Sequence, residues 1–506
     1  MGVARTLSVG LLGLRGHLVE VEADLAQGLP GLVITGLPDT TLGEARDRLR
    51  AAVGNSGLSW PTRRITIGLS PAWQPKHGSG FDLAMAAAVL CADGTFPAEA
   101  LAGTVLLGEL ALDGRVRAVR GVLPAVLGAS RAGVTRAVVP VPNVTEARLA
   151  PATDVVGVAT LAGLAALLRG EAGPAEPPDT PDGDGDLVSV PDLADVLGQD
   201  TGRRAVEVAA AGGHHVFLAG PPGSGKTMLA ERLPGLLPVL GLEAALEVTA
   251  VHSVAGTLPA AAPLIRRPPY EAPHHTASVA ALVGGGSGVA RPGSVSLAHH
   301  GVLFIDEAPE FGAGVLDALR QPLESGEVVL ARSGGVARYP ARVQLVMAAN
   351  PCPCSSTTAD DHCVCTPTAR RRYFGRISGP LLDRVDLRVT LLPVRLAALM
   401  DGTPAEDTAA VSGRVSAARA AAAERWGPHG WRTNAEVPGS ALRGSHRLPR
   451  SVRASLDRQI DIRRISARGY DRVLRVAWSL ADLGGRTVPG PEDVTEATGF
   501  RLGSAA

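Results

Sequence analysis

A glycine-rich loop at residues 220–227 has the clearest chemistry in the chain. It fits G-x-x-x-x-G-K-[ST] through Gly220, Pro221, Pro222, Gly223, Ser224, Gly225, Lys226 and Thr227. An apolar run at 215–219 precedes it and a helical pattern follows, which is the context this motif requires. Its glycines let backbone N–H groups turn toward phosphate oxygens at a helix N-terminus. We therefore predict a nucleoside-triphosphate site, with Lys226 on the β/γ-phosphates and Thr227 binding Mg²⁺.

Two acids follow the next buried apolar run, and a polar residue follows the one after it. Asp306 and Glu307 come directly after residues 302–305. We expect Asp306 to bind Mg²⁺ and Glu307 to polarise the attacking water. The run at 345–349 ends at Asn350, which we expect to sense the γ-phosphate, since sites in parallel sheets lie at strand ends. The alternative is that Asn350 is an ordinary turn residue.

Four of the five cysteines lie within residues 352–365: Cys352, Cys354, Cys363 and Cys365. Two C-x-C pairs separated by polar residues suit four thiolates around one tetrahedral Zn²⁺. Disulfide bonds are the alternative, although a cytoplasmic protein disfavours them, and His362 is a substitute ligand. Cys91 stands alone in an apolar run and is expected in a core.

Strands must alternate with helices to position these groups. We predict strands at 215–219, 302–305 and 343–348 in the middle of the chain, and this alternation indicates a mostly parallel sheet. The front block is predicted to be α/β or α+β as well. It should hold strands at 64–69 and 135–141, a helix at 81–91 and a hairpin at 104–119 that turns at Asp113-Gly114. The chain beyond residue 403 is predicted to be mostly helical.

Composition excludes several classes of protein. The chain has 506 residues, no net charge and 45% hydrophobic residues, which is too apolar for a disordered protein. Five cysteines are too few for a disulfide scaffold. No apolar run is long enough to span a membrane, and the start is not a signal peptide, so we expect a cytoplasmic protein. Only Lys76 and Lys226 are lysines among the 49 basic residues, and we expect lysine to persist where a compact ammonium is needed.

The motifs and the sequences that flank them resemble those of the magnesium-chelatase-like AAA+ ATPases of the ComM/YifB family. The resemblance rests on EAPHHTASVAALVGGG, RPGSVSLAHHGVLFIDEAPEF, LVMAANPCPC and ISGPLLDRVDL, and extends into the front block at GLPGLVITGLPDTTLGEARDRLRAAV. It implies an α/β fold, in which an AAA+ P-loop core with a C-terminal helical lid follows a Lon-protease-like (ribosomal S5 domain 2-like) domain. The expected division is residues 1–170 for the Lon-like domain and 171–186 for an acidic Pro/Gly linker. Residues 187–395 form the ATPase domain with the cysteine insertion, and 396–506 the lid.

The resemblance also implies roles for residues outside the loop. Arg384 in GPLLDR lies at the arginine-finger position, where it completes a neighbouring subunit's site; the alternative is pairing with Asp383 or Asp386. Arg475 matches the second sensor of the lid, and Arg472 is its rival. Residues 273–292 and 330–339 correspond to insertions that face the ring pore in relatives with polymer substrates. Within them Gly284, Gly285 and Gly286 suit a flexible tip. Arg332 and Arg338 are candidate phosphate contacts, and His274 and His275 are expected to be structural.

The front block resembles Lon-type protease around LSPAWQPKHGSGFDL but lacks its chemistry. The position of the Lon nucleophile is occupied by Gly80, and Ser79 stands one residue early. The position of the general-base lysine is occupied by Leu123, which cannot activate a serine. We therefore expect no peptidase activity and leave Lys76 without a role.

The function implied is that of an ATP-driven hexameric DNA motor, a ComM-like branch-migration helicase acting in recombination or natural transformation. Its expected partners are single-stranded or branched DNA, five further copies of the chain, and a recombinase or other protein, with no membrane. Residues 370–373, Arg-Arg-Arg-Tyr, are either a nucleic-acid contact or a solvated turn. The alternative function is a magnesium-chelatase-type ATPase that remodels a protein partner.

Overall fold

The computed structural model describes residues 2–36, 44–74, 76–177, 190–259, 263–286, 290–332, 335–354, 363, 365–394 and 405–503. Several sequence predictions concern residues outside these ranges: most of the acidic linker, Pro75, His362 and the boundary at residue 395. Among the described residues, no helix is long and apolar enough to cross a membrane.

The front of the chain folds around a mixed sheet of seven strands in the order β3-β4-β2-β1-β5-β8-β9. Strands β1 and β2 form a long antiparallel hairpin, while β3–β4 and β5–β8–β9 pair in parallel. A two-stranded hairpin of β6 and β7 lies outside the sheet. The strands are β1 Gly2–Leu12, β2 Arg15–Ala26, β3 Gly31–Thr35, β4 Arg64–Ser70, β5 Thr104–Leu106, β6 Glu109–Leu110, β7 Val116–Arg117, β8 Arg136–Pro140 and β9 Asp154–Val158.

Within the part of the front block that the structure describes, five helices accompany this sheet: α1 Ala45–Asn55, α2 Asp82–Ala92, α3 Val122–Arg131, α4 Val144–Ala147 and α5 Leu161–Leu168. The alanine-rich α2 is buried almost throughout, because its small side chains let it pack closely against β1 and β2. Its buried Asp82 accepts hydrogen bonds from Arg48 of α1 and from the Leu110 N–H, so its charge is compensated.

The middle of the chain folds around a parallel five-stranded sheet in the order β11-β14-β17-β10-β18. The strands are β10 Val216–Ala219, β11 Tyr270–Glu271, β14 Val302–Ile305, β17 Gln344–Ala349 and β18 Leu387–Thr390. Strands β14 and β17 are buried at every position, as expected for strands covered on both faces. The helices before and after β10 are α6 Asp200–Gly212 and α7 Lys226–Leu236, followed by α8 Leu242–Ala255.

Two antiparallel hairpins interrupt this core: β12 Gly284–Gly285 with β13 Arg291–Pro292, and β15 Glu327–Arg332 with β16 Gly335–Pro340. The short helices around them are α9 Val279–Val283, α10 Ser294–Leu297, α11 Ala313–Asp317, α12 Pro322–Ser325, α13 Pro367–Phe374 and α14 Gly379–Leu382. Gly284 and Gly285 are buried strand residues, so the prediction of a flexible tip there is wrong. A Cβ on Gly284 would lie 2.5 Å from the Arg291 carbonyl oxygen, so close strand pairing requires the glycine.

The C-terminal segment is helical, as predicted: α15 Thr408–Trp426, α16 Gly439–Arg443, α17 Arg450–Asp461, α18 Ala467–Leu483 and α19 Pro491–Leu502. Helix α18 has a buried apolar face and is capped at its N-terminus by Ser466, whose Oγ accepts the Gly469 N–H. It packs against α6, α15 and α19, so these helices and one face of the parallel sheet share a core.

The front sheet docks on the middle of the chain through α3 and α8. Glu146 is buried at this joint and accepts hydrogen bonds from the Leu123 N–H and from Ser253 Oγ. Leu123, at the position of the Lon base, is itself fully buried. The structure therefore uses this position for packing and for the joint between the two sheets.

Most of the predicted elements are present. The strands predicted at 64–69, 135–141, 215–219, 302–305 and 343–348, and the helix at 81–91, are confirmed within two residues. The predicted hairpin at 104–119 is confirmed only from Glu109 to Arg117, because β5 instead pairs with β1 and β8 in the large sheet. The β1–β2 hairpin was not predicted.

Candidate functional site

The phosphate loop lies between β10 and α7, with Lys226 as the first residue of the helix. Its Nζ donates to the carbonyl oxygens of Gly220 at 2.7 Å and Pro221 at 2.9 Å, and to Asn350 Oδ1 at 3.0 Å. Burial lowers the pKa of Lys226. Gly223 and Gly225 have left-handed φ values of 75° and 84°, so the loop needs residues without a Cβ. These features form the anion cradle that the motif predicts, with Asn350 beside the ammonium.

Thr227 and Asp306 form the second part of the site. Thr227 Oγ1 donates to Asp306 Oδ2 at 3.1 Å, and Asp306 Oδ1 accepts the Glu307 N–H at 2.9 Å. A hydroxyl and a carboxylate next to a phosphate loop are hard oxygen donors, which fit Mg²⁺. The two residues predicted to bind Mg²⁺ are therefore adjacent.

Glu307 adopts a left-handed backbone conformation with φ of 48°, which is rare for a residue with a side chain. Strain of this kind costs roughly 1–3 kcal/mol and clusters at functional sites. Its Oε2 lies 3.3 Å from His275 Nδ1. Sequence reasoning treated His275 as structural and missed this contact, because the two residues lie in separate loops.

Arg384 lies at the opposite end of the parallel strands from the phosphate loop. It precedes β18, which pairs with β10 so that Leu387 faces Val216 and Thr390 faces Ala219. Four strand residues therefore separate the end of β18 that follows Arg384 from the end of β10 that carries the loop. At 3.3 Å per residue, this distance is roughly 13 Å. Its guanidinium pairs with Glu324 at 2.7 Å and with the Pro380 carbonyl at 2.8 Å, and not with Asp383 or Asp386.

The two arginines considered for the second sensor also lie away from the loop of their own chain. Arg475 Nε donates to the Val437 carbonyl at 2.7 Å, and Arg472 pairs with Asp386 at 2.5 Å, just before β18. Asp386 also lies 3.3 Å from His214 and is buried, and the nearby charge of Arg472 helps to hold its pKa well below the usual value. The structure therefore brings neither arginine to the loop and makes Arg472 part of a joint between lid and sheet.

The four cysteines converge directly after β17. Their sulfur atoms all lie within 4.8 Å of one another. The sulfur of Cys352 is 3.1 Å from that of Cys354 and 3.4 Å from that of Cys363, and all four thiols are free. In a tetrahedral zinc site with Zn–S near 2.3 Å, sulfurs are roughly 3.8 Å apart. The Cys365 N–H, then Cys352 and Arg370, lower the pKa of Cys363 to about 6. The donor set and spacing fit Zn²⁺.

A second cluster of metal-ligand types, Glu247 with His299 and His300, has a different character. Glu247 Oε2 lies 3.1 Å from His299 Nε2 and 3.2 Å from His300 Nε2. His299 Nδ1 accepts the Arg342 N–H, so in the neutral ring Nε2 carries the proton and cannot coordinate a metal. This cluster instead ties α8 to the segment before β14.

In the front sheet, Ser79 Oγ donates to Glu109, and Gly80 follows it in a short turn. Lys76 is almost fully buried, and its Nζ donates to the carbonyl oxygens of Gly36 and Leu69 at 3.1 Å each and to that of Pro71. All three ammonium protons are thus used by the backbone. The structure gives Lys76 a structural role that the sequence did not reveal.

Family models and relatives of known sequence match almost the whole chain. The model described as Magnesium chelatase, subunit ChlI, matches residues 192–399; the one described as Subunit ChlI of Mg-chelatase matches 21–143; the ChlI C-terminal model matches 405–501. Competence protein ComM of Haemophilus influenzae is 38% identical over 507 residues, 99% of this chain and 98% of its own. The chain belongs to the ComM/YifB family of magnesium-chelatase-like AAA+ ATPases.

Two further relatives match over similar lengths. Uncharacterized protein YifB of Escherichia coli is 40% identical over 495 residues, 97% of this chain and 95% of its own. An uncharacterized protein of Mycobacterium tuberculosis is 57% identical over 501 residues, 99% of each chain. The family expected from the motifs is therefore confirmed, together with the fold class.

Proposed function

We propose that this ComM/YifB protein is a ring-shaped DNA motor that hydrolyses ATP to move branched DNA during recombination. The observation that carries the proposal is the separation of Arg384 from the phosphate loop of its own chain. The loop, Thr227, Asp306 and Glu307 lie at the carboxyl ends of the strands, while Arg384 lies at their amino ends. An arginine there reaches an ATP only when another subunit presents its loop, and a closed ring supplies this contact at every site. Six subunits are the number that the family resemblance implies.

Each residue has a defined task in hydrolysis. Backbone N–H groups and Lys226 neutralise the β- and γ-phosphates. Glu307 accepts a proton from the water that attacks the γ-phosphorus, while the bond between the γ-phosphorus and the β–γ bridging oxygen breaks. Thr227 and Asp306 would hold Mg²⁺, which neutralises phosphate charge when bound. Asn350 orients the water, and the partner's arginine stabilises charge on the transferred group. Arg475 contacts the Val437 carbonyl and not the loop of its own chain, so we assign it the second-sensor role toward a neighbouring subunit's ATP.

The two hairpins support a polymer substrate. Arg291 and Arg332 are exposed on neighbouring strands, since Arg332 lies over Gly285, the partner of Arg291. Exposed arginines bind phosphate oxygens without reading sequence. Arg338 is also exposed, although it pairs with Glu327 at 2.5 Å. Arg371 and Arg372 are exposed on α13 and supply two further cations.

The cysteine cluster is assigned to structural Zn²⁺. Cys352 lies two residues beyond Asn350, and Cys354, Cys363 and Cys365 complete the donor set. Zinc held there would fix the end of β17 and therefore the position of Asn350. The front sheet is assigned to assembly without peptidase activity, because a buried Leu123 occupies the position of the base.

Remodelling of a protein partner is the second candidate, and the three magnesium-chelatase matches favour it. ATP hydrolysis measured with and without forked DNA separates the two. A DNA motor shows hydrolysis stimulated by DNA and abolished by Lys226→Ala. Hydrolysis that is indifferent to every DNA substrate but rises with a protein fraction favours the second candidate.

A further inference from the structure

The turn that carries Arg384 is held by the last two helices of the lid, α18 and α19. This finger turn, residues 383–386, lies between α14 and β18. Arg501 of α19 donates from Nη1 to the Val385 carbonyl oxygen, and its Nη2 lies 3.5 Å from Asp383 Oδ1. One guanidinium therefore contacts both the residue before Arg384 and the residue after it.

Arg501 lies in a buried position that leaves its side chain little freedom. Its side chain is 7% exposed, and a Cβ on Gly469 of α18 would lie 3.3 Å from its Nε. Burial lowers its pKa to about 10, so the guanidinium is charged at neutral pH. A buried charge requires polar partners, and Arg501 has a carbonyl and a carboxylate of the finger turn. The turn and α19 are therefore bound to each other.

The second lid helix fixes the end of the same turn. Arg472 of α18 pairs with Asp386 at 2.5 Å. The other carboxylate oxygen of Asp386 lies 3.3 Å from His214 Nδ1, and His214 Nε2 lies 2.8 Å from Ser479 Oγ, also on α18. The backbone on both sides of Arg384 is thus tied to the lid of its own subunit.

The contacts that the Arg384 side chain makes do not fix the position of the finger turn. Its guanidinium donates to the Pro380 carbonyl, four residues earlier, at 2.8 Å. It also pairs at 2.7 Å with Glu324, whose side chain is 75% exposed. Exposed ion pairs contribute little to stability. The buried contacts of the turn with the lid therefore determine where the Arg384 backbone lies.

We propose that Arg501 is a positioning residue for Arg384: through the finger turn, α19 sets the point from which Arg384 reaches the ATP of a neighbouring subunit. A displacement of about 1 Å in a group that acts on the reacting atoms costs roughly 10²-fold in rate. This inference rests on the proposed function for the action of Arg384 in trans, and it concerns ATP hydrolysis with or without DNA.

The full-length protein tests this with three variants: Arg501→Met, Arg501→Lys and, as matched control, Arg486→Met. Arg486 pairs with Asp493, which is also on α19 but roughly 12 Å along the helix from Arg501 at 1.5 Å per residue. Phosphate release is measured against ATP concentration, and the Kd for ATP is measured by direct titration.

We expect Arg501→Met to lower kcat by roughly 10²-fold and to leave the Kd for ATP unchanged, because its own phosphate loop is intact. Arg501→Lys keeps the charge but cannot span both partners. It should lose about tenfold in kcat, the effect of one lost hydrogen bond to a charged group. Arg486→Met should hydrolyse ATP as wild type does.

Mixing subunits separates positioning in trans from damage to the variant's own site. Arg501→Met subunits keep their phosphate loop and Lys226→Ala subunits keep a correctly placed Arg384. A mixture therefore contains sites in which both parts are intact, and it should regain activity that neither variant shows alone. A merely structural defect in the lid would weaken ATP binding and would not be restored by mixing.

The inference is overturned if Arg501→Met hydrolyses ATP at the wild-type rate, if mixing restores nothing, or if Arg486→Met loses as much activity. If Arg384→Ala is inactive while Arg501→Met is active, this inference alone fails. If Arg384→Ala is itself active, the site in trans of the proposed function fails with it. A melting temperature for each variant confirms that folded proteins are compared, and Arg501→Lys decides by the same criteria if Arg501→Met does not fold.

Discussion

Replacing Lys76 by methionine tests whether one of the two lysines is structural. The ammonium satisfies three carbonyl oxygens, of which the Leu69 contact is fully buried and those of Gly36 and Pro71 are partly buried. An unsatisfied buried acceptor costs about 1–3 kcal/mol, and partly exposed ones cost less because water replaces the donor. Burial also lowers the pKa of Lys76, so removing the ammonium recovers some desolvation free energy. The expected net loss is about 2–4 kcal/mol in the free energy of unfolding.

This loss should appear in the front sheet alone. Each kcal/mol lowers the melting midpoint of a domain of this size by about 2–4 °C, so Lys76→Met should lower it by roughly 5–15 °C. Differential scanning calorimetry gives the melting midpoint. Faster hydrogen exchange at Arg64–Ser70 shows that the loss of stability lies in the front sheet. Lys76→Arg should also destabilise, because a planar guanidinium cannot direct protons to three converging carbonyls.

Lys226→Met is the matched control, since it removes the other lysine. It should abolish nucleotide binding and leave hydrogen exchange in the front sheet unchanged. A melting midpoint for Lys76→Met equal to that of wild type refutes the structural role. Normal stability with lost ATP hydrolysis in Lys76→Met refutes it too, and would place Lys76 in catalysis.

Four further predictions concern the ATP site, the cysteines and pH. Glu307→Gln should bind ATP normally but lose about 10²–10⁴-fold in turnover, the usual contribution of a general base; normal turnover would reject the assignment. Arg384→Ala should bind ATP without hydrolysing it, and mixing it with Lys226→Ala subunits should restore part of the activity, whereas an active Arg384→Ala protein alone would contradict supply in trans. Cys352→Ser should lose the one equivalent of zinc expected from elemental analysis, and zinc-free wild type would remove the metal from the account. His215 has its pKa lowered to about 4, chiefly by burial, and its Nδ1 accepts the Leu345 N–H; because the unfolded state takes up a proton first, stability should fall as pH drops from about 6.5 toward 4, and His215→Asn should flatten this dependence in denaturation curves.

The strands of the parallel sheet and the polar residues at their ends could be predicted from local patterns in the sequence. The runs at β14 and β17 are apolar at every position and followed by polar residues, so both the strands and the placement of Asp306, Glu307 and Asn350 could be predicted. The β1–β2 hairpin also left a trace, since Val19, Val21, Ala23 and Leu25 alternate as a half-buried strand should. The acidic residues between them, Glu20, Glu22 and Asp24, make this segment resemble a charged loop.

Contacts between distant segments could not be predicted. The role of Lys76 depends on the carbonyl of Gly36, which lies 40 residues away, together with those of Leu69 and Pro71, and no spacing reveals which carbonyls lack a donor. The contact between His275 and Glu307 likewise exists only where two loops meet. Arg384 was placed by resemblance, and its distance from the loop of its own chain became visible only from the register of β18 on β10.

The most direct test of a ring-shaped DNA motor is a branch-migration assay on a four-way DNA junction with purified full-length protein and ATP. The account predicts that wild type converts the junction to duplex products, and that Lys226→Ala and Arg384→Ala do not. Conversion by Lys226→Ala, or no conversion by a wild-type protein that hydrolyses ATP in the presence of the junction, would contradict it.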